Sequence, residues 1–381
     1  MYDLIIVGAG PAGSTLARRI GNHHKVLLLD KRDLHSPVHF AGAAEKCCGG
    51  LLNPEAQDAL TEQGIALPKR ILEDPQLFAV RAIDFDNHME RVYPKRYVNI
   101  DRVAFDRYLI ELAEQEPGVS VMEQTLVQDF EQLEDRVRVR ILHKPSGEVR
   151  YLEGKILVGA DGAASIVRKR LQERYLIPVS GSLLSGAPRE YTCLQEHYAL
   201  PESFSMPYHA AIFDQYVTDF YSWMIPKGDR LLLGTAIPAG ENVRLRFSKL
   251  RAELIGLGYP LTEAPIYRSG AKLLRPRPMG SVVSGKDRVF LCGEAAGLIS
   301  PSSAEGISFA IRSGAYLAEA LAKPEKGRHK AYDKALCKMK IDLCIKSMKS
   351  PVMYRPELRG PVFVSRLLSI KTKDVHYGGL S

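Results

Sequence analysis

Asp3-Leu4-Ile5-Ile6-Val7-Gly8-Ala9-Gly10-Pro11-Ala12-Gly13, continued to Asp30, is the stretch that decides the fold of this chain. Leu4–Val7 reads as a short buried strand, Gly8–Gly13 as a tight turn and Pro11–Ile20 as a helix. Lys25–Leu29 reads as a second buried strand that ends on Asp30. The glycines differ in what they do. Gly8 makes the sharp turn, Gly10 admits a pyrophosphate against the main chain, and Gly13 lets helix and strand pack closely. A helix N-terminus then offers unpaired N–H groups and the positive end of its dipole to that diphosphate. Asp30 lies twenty residues beyond Gly10, where a carboxylate accepts hydrogen bonds from a ribose diol and disfavours a 2′-phosphate, so NADP is not expected in this slot. A lone G-x-G-x-x-G is weak evidence, but strand, turn, helix, strand and terminal Asp in order supply its confirming context. A dinucleotide is expected on Gly8, Gly10, Pro11, Ala12, Gly13 and Asp30. Lys31 and, in a later strand, Val127 are counted with them.

The 381 residues are 45% hydrophobic and 25% charged, the balance of an ordinary globular protein with room for two or three domains. No apolar run approaches the length of a membrane span. Met1 leads straight into the first strand without basic and apolar signal regions, and a cytoplasmic protein is expected. The six cysteines form neither a metal nor a disulfide framework, and Cys47-Cys48 are too close to pair without strain, which suits a reduced compartment. Charge is uneven: residues 322–381 hold 14 Lys/Arg against 5 Asp/Glu, a net of +9, whereas the whole chain is +8. This basic end reads as a docking face for anionic lipid or an acidic donor protein, or as a solvated surface. Nucleic acid is not an expected partner.

Two further strand ends carry the signature of a ligand crevice. Lys155–Val158 leads into Gly159-Ala160-Asp161-Gly162 and a helix containing Arg168, and an Asp at the carboxyl end of a parallel strand faces such a crevice. Val289–Leu291 ends on Cys292-Gly293-Glu294, crosses Pro301 and restarts as a helix near Glu305-Gly306-Ile307, running to about Leu321. Between them, Val119–Met122, Thr125–Phe130, Arg136–Leu142 and Val149–Leu152 read as short strands. Asp101 reads as an N-cap for a helix bearing Arg102, which is either a phosphate partner or a solvated charge. Lys31–Ala44 reads as a loop leading to Cys47-Cys48-Gly49-Gly50, where the glycines let backbone lie flat against a ring and a cysteine face it. The alternative is a plain turn with buried thiols. Residues 54–70 read as a helix and its exit, and Phe78–Ile83 and Arg91–Tyr97 as strands around a turn.

From Glu173 to Pro276 the pattern changes to alternating aromatic-rich strands (Tyr191–Leu200, Ala210–Phe213, Asp219–Ile225, Arg230–Ile237) and a helix over about Val243–Leu257. This layer carries Tyr221-Ser222-Trp223-Met224-Ile225-Pro226-Lys227, with Tyr221 and the only tryptophan on one strand face. They are core aromatics or site residues. Lys330–Lys349 reads as a helix with two apolar stripes, Tyr332/Leu336/Met339/Leu343 and Cys337/Ile341/Cys344/Met348, packed on both sides. The last thirty residues, broken by Pro351, Pro356 and Pro361, read as loosely structured.

With its markers in this order, the chain resembles the FAD-dependent group that includes p-hydroxybenzoate hydroxylase and the geranylgeranyl reductases. Lys46-Cys47-Cys48-Gly49-Gly50 resembles the reductases' Lys-Pro-Cys-Gly-Gly turn, with Cys47 in place of Pro. Tyr221–Pro226 resembles their Tyr-x-Trp-x-Phe-Pro, and Glu305-Gly306-Ile307 their Gly-Glu-Gly-Ile segment. The similarity spans about residues 1–325 and extends to bacterial CbrA-type flavoproteins. Glu294 stands where the group usually has Asp.

The resemblance implies an α/β fold with a Rossmann-like FAD-binding domain of the glutathione-reductase/p-hydroxybenzoate-hydroxylase type. That domain comprises residues 1–70, 100–172 and 277–325. An inserted antiparallel-sheet substrate domain comprises 71–99 and 173–276, and a basic helical segment and tail 326–381. It implies FAD held by the first glycine turn, Lys31, Cys48, Gly49, Arg102, Val127, Asp161-Gly162, Gly293-Glu294, Pro301 and the helix start at Glu305–Ile307. Cys48, Tyr221 and Trp223 are the implied catalytic set. The implied activity is reduction of a C=C bond in a small hydrophobic, isoprenoid-like substrate. Because Tyr-x-Trp-x-Ile-Pro also resembles the Trp-x-Trp-x-Ile-Pro element of flavin-dependent halogenases, an aromatic monooxygenase or halogenase is the alternative; a flavoprotein that only senses redox state or chaperones a substrate is a third. With no second G-x-G-x-x-G after a strand, electrons are expected from transiently bound NAD(P)H or a redox protein.

Overall fold

The computed structural model describes residues 1–35, 47–175, 189–276 and 282–370. The hydrophobic run Leu4–Val7 forms the end of β1 (Tyr2–Val7), buried on both faces as a central parallel strand must be. It pairs in parallel with β2 (Val26–Leu29) on one side and β9 (Glu148–Gly159) on the other. Parallel β6 (Val119–Met122) extends the sheet beyond β2, and β16 (Val289–Leu291) beyond β9. The full order is β15-β16-β9-β1-β2-β6, with β15 at Gly285–Lys286 and an antiparallel hairpin, β7 (Thr125–Gln132) and β8 (Val137–His143), hung on β9. Residues 149–152 and 155–158 are therefore one strand, not two. Gly154 joins them because a side chain there would meet Ile5 at 2.9 Å.

Helix α1 (Pro11–Ile20) covers this sheet, and α6 (Ile307–Leu321) crosses it where Gly314 lies against the Ala12 carbonyl. A Cβ on Gly314 would sit 2.5 Å from that oxygen. Also present are α2 (Pro54–Glu62), capped by Asn53, and α3 (Arg102–Glu114). As the sequence predicts, the Asp101 carboxylate caps α3, accepting from the N–H groups of Val103 and Ala104 at 2.7 and 2.9 Å. Helix α4 (Ile166–Tyr175) follows β9.

A second eight-stranded sheet has the order β14-β10-β13-β12-β11-β4-β5-β3. Its members are β3 (Leu51–Leu52), β4 (Leu77–Asp84), β5 (Met89–Asn99), β10 (Arg189–Ala199), β11 (His209–Phe213), β12 (Ser222–Lys227), β13 (Arg230–Pro238) and β14 (Tyr267–Arg275). All its pairings are antiparallel except β11 with β4. The aromatic alternation marks four of these strands; β14, poor in that pattern, is not legible from it. Helix α5 (Val243–Gly256) packs on the face away from the glycine turns, burying Phe247, Leu250 and Leu254 with Met224 and Leu233.

The C-terminal reading needs two corrections. The last thirty residues are not loosely structured over the part described. Helix α7 (Arg328–Tyr354) runs past Pro351, and α8 (Pro356–Ser365) starts with Pro356 in its first turn, where a missing N–H costs nothing. Nor is α7 covered on both sides: Tyr332, Leu336, Met339 and Leu343 are buried, whereas Cys337, Ile341 and Met348 are exposed.

Two imidazoles in the second sheet give it an acid limit. His209 and His197 are both buried, and neither Nδ1 has a hydrogen-bond partner among the described residues. Burial pushes each down to about 4 from 6.5; the Arg230 and Lys227 charges add to this at His197. A depressed folded-state pKa gives stability that is whole above 6.5 and lost as pH falls toward 4, by about 3 kcal/mol at most per ring. His209→Gln is expected to flatten the melting temperature across that window; an unchanged acid limb would show that His209 does not set it.

Candidate active site

Hydrogen bonds that continue the sheet past its strand ends draw the three sequence markers together. The Gly8 N–H reaches the Leu29 carbonyl at 2.7 Å, Ala160 N–H that of Val7 at 2.8 Å, and Cys292 N–H that of Gly159 at 3.0 Å. A Cβ on Gly8, whose φ is +104°, would lie 2.4 Å from the Ala160 carbonyl oxygen, and one on Gly293 would lie 3.0 Å from Ala12 Cβ. The Glu294 carboxylate lies over Gly162, 3.9 Å from where a Cβ on that glycine would stand. Arg168 ties α4 to the third marker by donating to the Ala295 carbonyl at 3.2 Å.

Among the described residues, the first turn of α1 has no side-chain cap, and a Cβ on Gly10 would meet no atom within 4 Å. Open space over an uncapped helix N-terminus fits a diphosphate. Asp30 accepts the Ala9 N–H at 2.8 Å but is also gripped by Arg32, whose Nε and Nη2 each donate at 3.0 Å. Burial opposes the charge on Asp30; the Arg32 guanidinium outweighs it and holds the carboxyl below its usual range. Arg32 also reaches Asp106 at 3.1 Å, and Asp106 accepts Arg102 Nε at 2.8 Å. No motif marks the line Asp30–Arg32–Asp106–Arg102, because Arg32 and Asp106 are 74 positions apart.

Cys48 stands at the end of that line, its Sγ accepting from Arg102 Nη1 at 3.2 Å. The Cys48-Gly49-Gly50 turn lies flat on the second sheet: a Cβ on Gly49 would come within 2.6 Å of Ile225 Cδ1, and Gly50 has φ +61°. Lys227 fastens this turn, donating to the carbonyls of Gly50 and Ile100 and to Asn99 Oδ1 at 2.9, 2.8 and 2.5 Å; burial pushes its amine down to about 8. Trp223 Nε1 donates to Gln195 Oε1 at 3.0 Å, and Gln195 Nε2 reaches the Cys48 carbonyl at 3.5 Å. The Tyr221 ring is 5.7 Å from that of Trp223, and its hydroxyl donates to the Ser303 carbonyl at 2.8 Å. Cys48, Tyr221 and Trp223 thus meet between the two sheets, beside the Pro301 loop. A narrow crevice opens next to Cys48, lined also by Arg102, His197, Lys227 and Arg230.

Several candidates have other work. Asp161 is turned into its own chain, accepting from Ser165 Oγ and the Ile166 N–H at 2.5 and 2.8 Å at the start of α4; burial raises its carboxyl. Glu305 likewise accepts from the N–H and Oγ of Ser308, both at 2.7 Å, at the first turn of α6, and burial raises it. Gly306 is the N-cap residue there, and Ile307 packs with Leu52, Ile100 and Phe105. Lys31 is exposed, and Val127 belongs to the core under the first sheet. Lys46 and most of the loop Lys31–Ala44 lie outside the described residues. The Pro301 loop is held by groups that no motif marks: Arg275 Nε donates to the Pro301 carbonyl at 2.7 Å, Ser350 Oγ to the same oxygen at 3.5 Å, and the Tyr354 hydroxyl to the Ser302 carbonyl.

Residues 1–182 match the model of a family described as an FAD binding domain. Protein CbrA of Escherichia coli O6:H1 is 34% identical over 358 residues, 94% of this chain and 92% of that protein. A geranylgeranyl bacteriochlorophyll reductase-like protein from Thermoplasma acidophilum has a similar structure, with TM-score 0.67 at 20% identity over 95% of this chain and 98% of that one. PqsL of P. aeruginosa, solved with 2-aminobenzoylacetate, gives TM-score 0.65 at 19% identity over 96% and 99%. At such identities the two structures speak for the fold.

Proposed function

The chain belongs to the CbrA family and is an FAD-dependent oxidoreductase, and from that premise we propose that it reduces a C=C bond in a small hydrophobic, isoprenoid-like substrate. The observation that carries this reading is the meeting of Cys48 with the Tyr221/Trp223 pair at the glycine turn that Lys227 fastens. Gly8, Gly10, Pro11, Ala12 and Gly13 would hold the diphosphate, with Asp30 and Arg32 at the ribose and the Gly293-Glu294 turn, Pro301 and the α6 start closing over the rest. FAD, when bound and reduced, supplies hydride. Cys48 gives its proton to the carbon that the hydride does not take, and the thiolate left behind is stabilised by the Arg102 N–H at 3.2 Å. Tyr221 and Trp223 present apolar faces to the substrate, while Gln195 fixes the indole ring. NAD(P)H or a redox protein would deliver the electrons.

Cys48→Ala is expected to retain FAD and lose about 100-fold in anaerobic turnover, the usual share of a general acid. Unchanged turnover would remove Cys48 from the reaction. The second reading, a monooxygenase or halogenase, draws on the same Tyr-x-Trp-x-Ile-Pro segment. Product formation that stops without O₂ would favour it over reduction.

A further inference from the structure

Helix α7 has two apolar faces with different fates. Taking about 100° per residue, Tyr332, Leu336, Met339 and Leu343 point into the protein, and Ile341, Ile345, Met348 and Val352 point the opposite way. That second row is open: Ile341 is 61% exposed and Met348 74%. Apolar side chains grouped in this way on a surface mark an interaction site.

The charges choose the occupant. Lys330, Lys334 and Lys338 continue the outward row toward the N-terminal end of α7 and are exposed, with Lys349 on its flank. The carboxylates of α7 lie off this row and are already matched, Asp333 by Lys340 at 3.3 Å and Asp342 by Lys346 at 2.9 Å. A cationic row that runs on into an apolar one suits an interface where phosphate headgroups border acyl chains. An acidic protein surface would use the lysines and leave the apolar row without a partner. No helix among the described residues is long and apolar enough to cross a membrane, so contact of this kind is peripheral. The C-terminal end of α7 also borders a cleft lined by Ser347, Ser350, Pro351 and Tyr354 on one side and Pro301 and Arg275 on the other.

We propose that the outward face of α7 seats the protein on an anionic lipid bilayer, with its apolar row in the headgroup–acyl boundary and the cleft to Pro301 opening beside it. The proposal does not depend on which reaction the flavin serves.

The test is flotation of the full-length, FAD-loaded protein with vesicles of phosphatidylcholine alone or with phosphatidylglycerol added. Wild type is expected to float with the anionic vesicles and not with the neutral ones. Ile341→Ser/Ile345→Ser/Met348→Ser is expected to stay behind while keeping its flavin and helix content, since all three side chains face solvent. Lys330→Gln/Lys334→Gln/Lys338→Gln is expected to weaken binding by roughly fivefold per lysine removed. Wild type that fails to float, or an apolar variant that floats like wild type, would overturn the proposal. So would equal binding to neutral vesicles, or a lysine variant unchanged on vesicles but deficient only in accepting electrons from an acidic donor protein.

Discussion

Gly10→Ala is expected to fold as the wild type does and yet lose FAD affinity, whereas Gly13→Val is expected to yield no flavoprotein at all. The two glycines lie in one turn but their surroundings differ. A Cβ on Gly13 would fall 2.0 Å from the Gly8 carbonyl oxygen and 3.2 Å from Ile6, so helix α1 must move off the strand. At Gly10 the backbone (φ −80°, ψ −175°) suits any residue and a Cβ meets nothing within 4 Å among the described residues. Whatever Gly10→Ala loses is therefore lost to the cofactor. Overpacking of about 1–3 kcal/mol corresponds to a roughly fivefold to 150-fold weaker Kd, read by flavin fluorescence titration, with an unchanged melting temperature for the apoprotein. A Gly10→Ala protein that binds FAD as wild type would remove the diphosphate from this turn.

Arg359→Ala is expected to cost about 3–5 kcal/mol in urea denaturation. Arg359 is buried on α8, and its Nε and Nη2 each donate at 2.7 Å to the Asp84 carboxylate, which has no solvent exposure. Nη2 also reaches Asp86 at 2.9 Å, and the guanidinium lies 4.6 Å from the Phe213 ring centre. Burial works against the charge on Asp84, and the pairing with Arg359 overcomes it. Alanine leaves that carboxylate buried with its cationic partner gone, which is the costly half of an ion pair. Adding Asp84→Asn is expected to recover a substantial part of the loss, because the remaining group is neutral. If the single and double variants are equally unstable, the penalty is lost packing over Phe213, not charge. Tyr354 and Phe363 share this contact region, so flavin retention is expected to fall with stability.

The nucleotide-binding half is legible because its information is local. The glycines of the first turn, the Asp101 cap and the buried runs before Asp161 and Glu294 each report geometry within a few residues. Parallel pairing of β16, β9 and β1 then follows from three similar strand ends. The Asp-Gly turn misleads in one respect: a carboxylate at a strand end can equally cap its own following helix, as Asp161 does through Ser165 and Ile166. Long-range pairings leave no local trace. Arg32 looks like any loop charge until Asp106 stands beside it, and the chain's end looks unstructured because Pro351 and Pro356 read as breaks, although both lie in helices. Periodicity is also silent on coverage. It groups Cys337, Ile341, Cys344 and Met348 on one face of α7 but holds no information on whether anything lies against that face.

The Asp84–Arg359 contact joins residues 275 positions apart. A ribosome adding about 5–20 residues per second needs roughly 15 to 55 s to make the second after the first. During that interval the β4–β5 hairpin carries a carboxylate shaped for a cation that has not yet been translated, and the Pro301 loop awaits Ser350 and Tyr354. The second sheet thus has all its strands once β14 is made but holds a buried carboxylate without its cation until Arg359 follows, and messages truncated before codon 359 should yield chains that are cleared by proteolysis before they can be loaded with flavin.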